Sequence, residues 1–304
     1  MTENYSHTPV MLDEVINVLS PKDDNTYIDC TFGTGGYSQA ILQKAKCSLH
    51  AIDRDDNAFY YAKKLKERFP DNFTFHHSKF SNLSQIGVKN VDGIIFDIGV
   101  SSPQLDNPKR GFSFSKEGNL DMGMGLNDLS AKEIVNGFSE SDLANIIYEY
   151  GEEPFSRKIA KAIVIHRKKK IIETTTELAD IIHKTIGNKG KTDSATKTFQ
   201  AIRICVNDEL NELSSALSSG FSLLKKDGCL LVVTFHSLED RIVKRFFNNL
   251  AGKNGSVSRY TPIMEKNIKK SIMAYEVRLI KPSEKEIAQN PRSRSAKLRY
   301  LKKV

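Results

Sequence analysis

Three aspartates, each closing an apolar run, are the first residues in this 304-residue sequence that could do chemistry: Asp29 after Tyr27-Ile28, Asp53 after Ala51-Ile52 and Asp97 after Ile94-Ile95-Phe96. An acid at the end of a strand can accept both hydroxyls of a ribose, attract a cationic ligand or take up a proton. Behind the first of them, Gly33-Thr34-Gly35-Gly36 supplies glycines where the backbone must turn tightly and let a ligand approach. A dinucleotide loop needs Gly-x-Gly-x-x-Gly, and its third glycine would fall on Ser38. That reading fails by one position. Behind the third acid, Ser101-Ser102-Pro103-Gln104 offers hydroxyls, an amide and backbone carbonyls on one short loop.

These residues need a scaffold that brings strand ends together. Short apolar runs predict strands at Tyr27–Thr31, Ser48–Asp53, Phe73–His76 and Val91–Asp97, with helices at Pro9–Leu19, after Gly36 and over Asn57–Phe69. Alternation of this kind predicts an α/β fold, a parallel sheet with helices on both faces. From about Leu105 to Asn211 no strand is visible, and helical spacing recurs at Glu140–Tyr150, Pro154–Arg167, Thr176–Ile186 and Ala195–Leu217. The expectation is an all-α domain at 107–211 inserted into a sheet domain of 1–106 and 212–304. Gly228–Phe235, too continuously apolar for a surface strand, returns to the sheet. Ser237 and Asp240 suggest a capped helix next, and two last strands are expected near Tyr260 and at Tyr275–Ile280.

Charge narrows the partners. Residues 1–224 hold 26 basic and 30 acidic side chains, whereas residues 225–304 hold 19 and 7. Arg157, Lys158, Lys161, Arg167, Lys168, Lys169 and Lys170 form a second basic run without an acid among them. Two such patches predict a polyanionic partner, and the tail Asn290–Arg299 is expected to meet its phosphates. No apolar stretch approaches the ~20 residues of a membrane span, and Met1–Tyr5 lacks the pattern of a secretory signal, so a cytoplasmic protein is expected. Cys30, Cys47, Cys205 and Cys229 include no Cys-x-x-Cys pair and His76-His77 lacks the spacing of a helical zinc pair, so no metal site is expected. His236-Ser237 with Glu239 and Asp240 invites a hydrolase reading, but adjacent residues on one turn cannot supply nucleophile, base and orienter.

The order acid, three residues, Gly-x-Gly resembles the nucleoside loop of S-adenosylmethionine-dependent methyltransferases. Further blocks in order sharpen this: Asn4–Val10, Asp97–Asp106, Arg110–Phe114, Tyr150-Gly151-Glu152, Thr198–Arg203, Phe235–Phe246 and Asn290–Ser295. Together they resemble the ribosomal RNA small subunit methyltransferase H family, the MraW type, almost end to end. The resemblance implies a Rossmann-like class I methyltransferase sheet with an inserted helical substrate-recognition domain. It also implies S-adenosyl-L-methionine as cofactor and methylation of the exocyclic N4 of one cytidine in the decoding region of 16S ribosomal RNA. The partner would be that RNA or the small ribosomal subunit, and the enzyme a monomer or homodimer. Cofactor positions carried over are Gly35, Gly36, Tyr37, Asp53, Phe80, Asp97 and Gln104, to which the residue reading adds Asp29 and Gly33. Asp53 would hold the ribose and Phe80 would pack on adenine.

The conjugated amino nitrogen of cytosine is a poor nucleophile, so acceptors must hold its protons and aim it at the methyl group. Asp97, Ser101, Ser102 and Pro103 are the catalytic candidates for that task. A DNA amino-methyltransferase, the nearest alternative, usually shows an acid or Asn before Pro-Pro and an aromatic, which this loop lacks; a binding-only relative would not need the acids and glycines intact. Three departures from the family stand out: Tyr37 replaces a frequent histidine, Cys30 a small residue, and Gly123-Met124-Gly125 an expected Arg-Met-Asp.

Overall fold

The computed structural model describes residues 9–188, 193–253 and 274–304. The block Asn4–Thr8 and the strand expected near Tyr260 lie outside the described residues. The described chain folds as two compact units, one within residues 1–99 and 210–304, the other within residues 100–209.

The first unit opens with α1 (Leu12–Leu19), β1 (Thr26–Asp29), α2 (Gly36–Lys44), β2 (Ser48–Asp53), α3 (Ala58–Arg68), β3 (Phe73–His77), a 3-10 turn at Phe80–Gln85, and β4 (Val91–Asp97). In the second unit, α4 (Ser102–Asp106), α5 (Ala131–Gly137), α6 (Glu140–Gly151), α7 (Ser156–Arg167), α8 (Thr175–Ile186) and α9 (Thr196–Asn207) follow. The chain then returns through α10 (Glu209–Leu223), β5 (Leu224–Thr234), α11 (Ser237–Leu250), β6 (Ala274–Ile280), α12 (Glu284–Gln289) and β7 (Lys297–Lys303).

The strands form one sheet of order β3-β2-β1-β4-β5-β7-β6. The first five run parallel, and β7 is antiparallel to both β5 and β6. This is the Rossmann-like arrangement that the resemblance implies. Successive side chains alternate between two cores. Tyr27, Leu49, Ile95, Leu231 and Val233 join the core containing residues of α1, α2 and α3. Ile28, Ile52, Ile94, Phe96, Leu230 and Val232 join that of α10 and α11. Because strand order reverses between β1 and β4, their carboxyl ends flank a switch point, where sheets of this class gather ligands.

The second unit has its own core, in which Leu143, Ile147, Ile159, Ile163, Leu178, Ile182 and Ile202 are fully buried. Capping boxes start α5 at Ser130/Glu133 and α8 at Thr174/Glu177. The Gly123-Met124-Gly125 loop is held without the family's charges: Arg110 donates to the Gly123 carbonyl at 2.9 Å, and the Met124 N–H donates to Asn207 Oδ1 at 2.8 Å.

Three expectations need correction. The single helix over Ala195–Leu217 is two, α9 and α10, broken at Asp208 in the left-handed region at φ +51°. There Asn207 turns its amide to the Met122 and Arg203 carbonyls, and Arg203 holds Glu209 with two hydrogen bonds, at 2.8 and 2.9 Å. The cap of α11 is His236 with Glu239, one residue before the expected Ser237 and Asp240. Residues 297–303 are no free tail: as β7 they fill the place between β5 and β6, with Leu298 buried in one core and Leu301 in the other.

Candidate active site

Asp29, Asp53 and Asp97 end β1, β2 and β4, so the sheet brings all three to one edge. Asp29 is fully buried, accepting the Ser38 hydroxyl at 2.7 Å and the Thr31 N–H at 3.2 Å. Burial lifts its carboxyl to about 6, against the pull of those two hydrogen bonds. Asp53 accepts the Gly33 N–H at 2.6 Å and the Asp55 N–H at 2.9 Å, which fixes the glycine loop to the end of β2. Its carboxyl is also raised, chiefly by burial.

Asp97 is the most perturbed of the three. Its backbone N–H donates to Thr31 Oγ1 at 2.7 Å, while its Oδ1 is sealed from solvent with no hydrogen-bond partner among the described residues. Desolvation pushes its carboxyl well above the usual range, and the charges of Asp29 and Glu239 add to the push. Among the described residues, no lysine, arginine or histidine forms an ion pair with Asp29, Asp53 or Asp97. Three clustered acids, raised by burial and without a counter-ion among the described residues, are drawn towards their charged form by a ligand that carries positive charge. The residues present therefore fit a sulfonium and ammonium compound with a ribose.

The glycine loop is shaped by local geometry. Gly35 sits at φ +84°, and a Cβ there would fall 2.8 Å from Cζ of Phe32. That site excludes a side chain on two grounds. Gly33 also has a positive φ, of 54°. Gly36 starts α2. Tyr37 is 3% exposed and its hydroxyl donates to the Val10 carbonyl, so this ring tethers the segment before α1. Burial drives its phenol well above the ordinary value. Phe80 begins the 3-10 turn and meets Phe96 edge-on, ring centroids 5.8 Å apart. Cys30 is buried within the core of α10 and α11, where burial pushes its thiol well up.

Ser101, Ser102, Pro103 and Gln104 belong to the second unit. Ser101 is the N-cap of α4, and the Gln104 side-chain oxygen accepts the Ser101 N–H at 2.9 Å in a capping box. Ser102 and Gln104 are buried, at 6% and 7% exposure. The Ser101 carbonyl accepts the N–H groups of Gln104 and Leu105, and the Pro103 carbonyl that of Asn107.

Two residues of the acid cluster escape a reading of the sequence. Thr31 ties β4 to the segment after β1. Ser38, conspicuous in the sequence only because it is not the third glycine of a dinucleotide loop, is the donor that steadies Asp29. A signal for it exists: a hydroxyl two residues into a helix that follows a strand-end acid can reach back to it.

The profile of the MraW methylase family matches residues 4–304. The chain belongs to that family. As a member of the MraW methylases it is 49% identical over 308 residues to the ribosomal RNA small subunit methyltransferase H of Rickettsia bellii, covering 98% of this chain and 99% of that one. The same-named protein of a Wolbachia from Drosophila simulans is 47% identical over 305 residues, with 98% and 99% covered. Among solved structures, an rRNA methylase from Streptococcus thermophilus superposes with a TM-score of 0.41 at 10% identity, covering 98% of this chain and 99% of that one. Among the described residues no helix is long and apolar enough to cross a membrane.

Proposed function

We propose that this MraW methylase transfers a methyl group from S-adenosylmethionine to the exocyclic N4 of one cytidine in the decoding region of 16S ribosomal RNA, acting on that RNA or the small subunit in the cytoplasm. The observation that carries the cofactor assignment is the acid cluster of Asp29, Asp53 and Asp97, which lacks an ion-pair partner among the described residues and has Asp97 Oδ1 unpartnered in a sealed position. The family's relatives, named for small-subunit ribosomal RNA, support the substrate class.

In this reading the bound cofactor supplies an electrophilic methyl group. Asp53, already held by Gly33 and Asp55, accepts the ribose hydroxyls; Gly33, Gly35 and Gly36 let the backbone come close, and Asp29 favours the cationic methionine end through its charge. Phe80 offers an aromatic face for adenine, while Tyr37 supports the loop from behind. Gln104 contributes chiefly by fixing the start of α4. Asp97 accepts a hydrogen bond from the cytosine amino group and then its proton, a task for which a raised carboxyl is better suited than an ordinary one. The hydroxyls and backbone carbonyls of the Ser101-Ser102-Pro103 segment are the further acceptors that orient the amine; the Pro103 carbonyl, which takes one N–H, keeps a second lone pair. The target base must leave its stack to be reached.

The all-α unit serves substrate recognition in this reading. On α7 and just after it, Arg157, Lys158, Lys161, Lys168 and Lys169 are exposed, and Phe155 beside them is 56% exposed. Arg167 differs, since its guanidinium donates to the Val135 and Phe138 carbonyls at 2.7 and 2.5 Å, and Lys170 is paired with Glu177. The deciding experiment is methyl transfer from labelled cofactor to small subunits taken from cells lacking the enzyme, followed by mapping of the modified nucleotide. Label on cytidine N4 in the decoding region is expected; label on another atom or none at all would end the proposal.

A further inference from the structure

The first unit carries a second concave feature that the methyl-transfer reading does not use. A cavity of about 430 Å³ is lined by Thr234 and Phe235 at the end of β5, His236 and Ser237 at the start of α11, Lys281, Pro282 and Ile287 after β6, and Arg294–Lys297 leading into β7. Its volume lies above the ~300 Å³ at which small-ligand pockets begin. The floor is apolar or buried, with Thr234 and Ala296 at 1% and 2% exposure.

Its cations divide sharply. Lys297 is bound to Asp240 at 3.0 Å, and Arg299, just beyond the cavity, is bound to the same carboxylate at 2.6 Å. Burial alone would raise Asp240, but the hydrogen bonds from Arg299 and Lys297 prevail and hold it low, as a charged partner. Those two bases are committed to the fold. Lys281 and Arg294, both exposed at the rim, have no ion-pair partner among the described residues. Two uncommitted cations over an apolar floor that includes an aromatic ring match a nucleotide, whose phosphate suits a guanidinium fork and whose base stacks on a ring.

Within the same unit, the cavity begins one strand over from Asp97. Asp97 pairs with Val233 in the β4–β5 register, and Thr234, the next residue, already lines the cavity. The Phe235 ring lies over Gly99, where a Cβ would sit 3.4 Å from its Cδ2. Neighbouring strands are about 4.8 Å apart, a span that one step along a nucleic-acid strand can cover. We infer that this cavity holds a nucleotide of the RNA substrate next to the one methylated, with Lys281 and Arg294 on its phosphate and Phe235 against its base. The inference rests on the proposed RNA-methyltransferase function.

The test uses the full-length protein and a fluorescent RNA of the decoding-region strand, read by anisotropy over a range of salt. Lys281→Ala/Arg294→Ala is expected to weaken binding about tenfold and to lower the slope of log affinity against log salt by about 1. Lys285→Ala, an exposed lysine of α12 outside the cavity, is expected to change neither. In kinetics the double variant raises KM for RNA with kcat unchanged, and its adenosylhomocysteine affinity and thermal midpoint match the wild type. Replacing the phosphate on one side of the target cytidine by a neutral methylphosphonate is expected to reproduce the loss in wild type and to add nothing in the double variant. If Ala at both positions destabilises the fold, Lys281→Gln/Arg294→Gln carries the same comparison. Unchanged affinity and salt slope in a folded double variant would overturn the inference, as would displacement of the RNA from the wild type by free cytidine monophosphate at micromolar concentration. Because binding is read without turnover, failure of methyl transfer to cytidine N4 would count against the proposed reaction and leave this readout intact.

Discussion

At the scale of single residues, the site depends on carboxylates that the fold keeps uncomfortable. Asp97→Asn keeps size and removes the proton acceptor, so methyl transfer is expected to fall about 100-fold, well beyond any loss of adenosylhomocysteine affinity. Single-turnover transfer alongside calorimetric binding checks this; full turnover in the variant would remove Asp97 from the proton path. Asp29 makes a separate prediction. Its carboxyl is raised from 3.8 to about 6 in the folded protein, so the native state favours the protonated form. That contribution to stability is complete below about pH 3.8 and is lost as pH rises through about 6. Asp29→Asn should therefore gain on the wild type between pH 4 and 7, by up to about 3 kcal/mol. Urea midpoints of both proteins across that range measure the gap; a gap independent of pH would contradict the account. Both acids are legible as strand-end residues. That no described residue forms an ion pair with them is not, because pairing depends on elements far apart in sequence.

At the scale of elements, legibility follows how local the signal is. β2 and β4 can be read to the residue, since each is an apolar run bounded by turn residues. The break between α9 and α10 carries no glycine or proline; it depends on Asn207 bridging to Met122, 85 residues away. β7 reads Lys-Leu-Arg-Tyr-Leu-Lys-Lys, so its charge suggests an RNA-binding tail and conceals a strand with one leucine on each face. The family motif Arg110-Gly111-Phe112 shows what a local rule can enforce. Gly111 lies at φ +72°, and a Cβ there would come within 2.1 Å of the Asn119 carbonyl oxygen. Gly111→Ala is expected to cost about 2–4 kcal/mol, visible as a lower thermal midpoint; an unshifted midpoint would show that the Asn119 segment yields freely.

At the scale of the whole molecule, the sequence correctly indicates an interrupted α/β sheet with a helical insertion, because the change from strand to helix periodicity is sustained over many consecutive elements. Where it misleads is in the use of the last basic residues. Removing everything after Gln289 would delete β7, exposing the edges of β5 and β6 and leaving Asp240 without Lys297 and Arg299. Such a truncation is expected to lose its cooperative thermal transition and its adenosylhomocysteine binding together, so it cannot report on RNA contact. A truncated protein that melted sharply and still bound the ligand would show that β7 is dispensable.

The placement of β7 also bears on how the protein is made. Because the strand inserted between β5 and β6 is encoded after both, a nascent chain cannot close this sheet until residue 303 has left the ribosomal exit tunnel. Until then β5 presents an unpaired, strongly apolar border, open to mispairing and to chaperones. A member of this family built this way gains its native sheet only once residues 297–303 have emerged to fill the gap between the two strands.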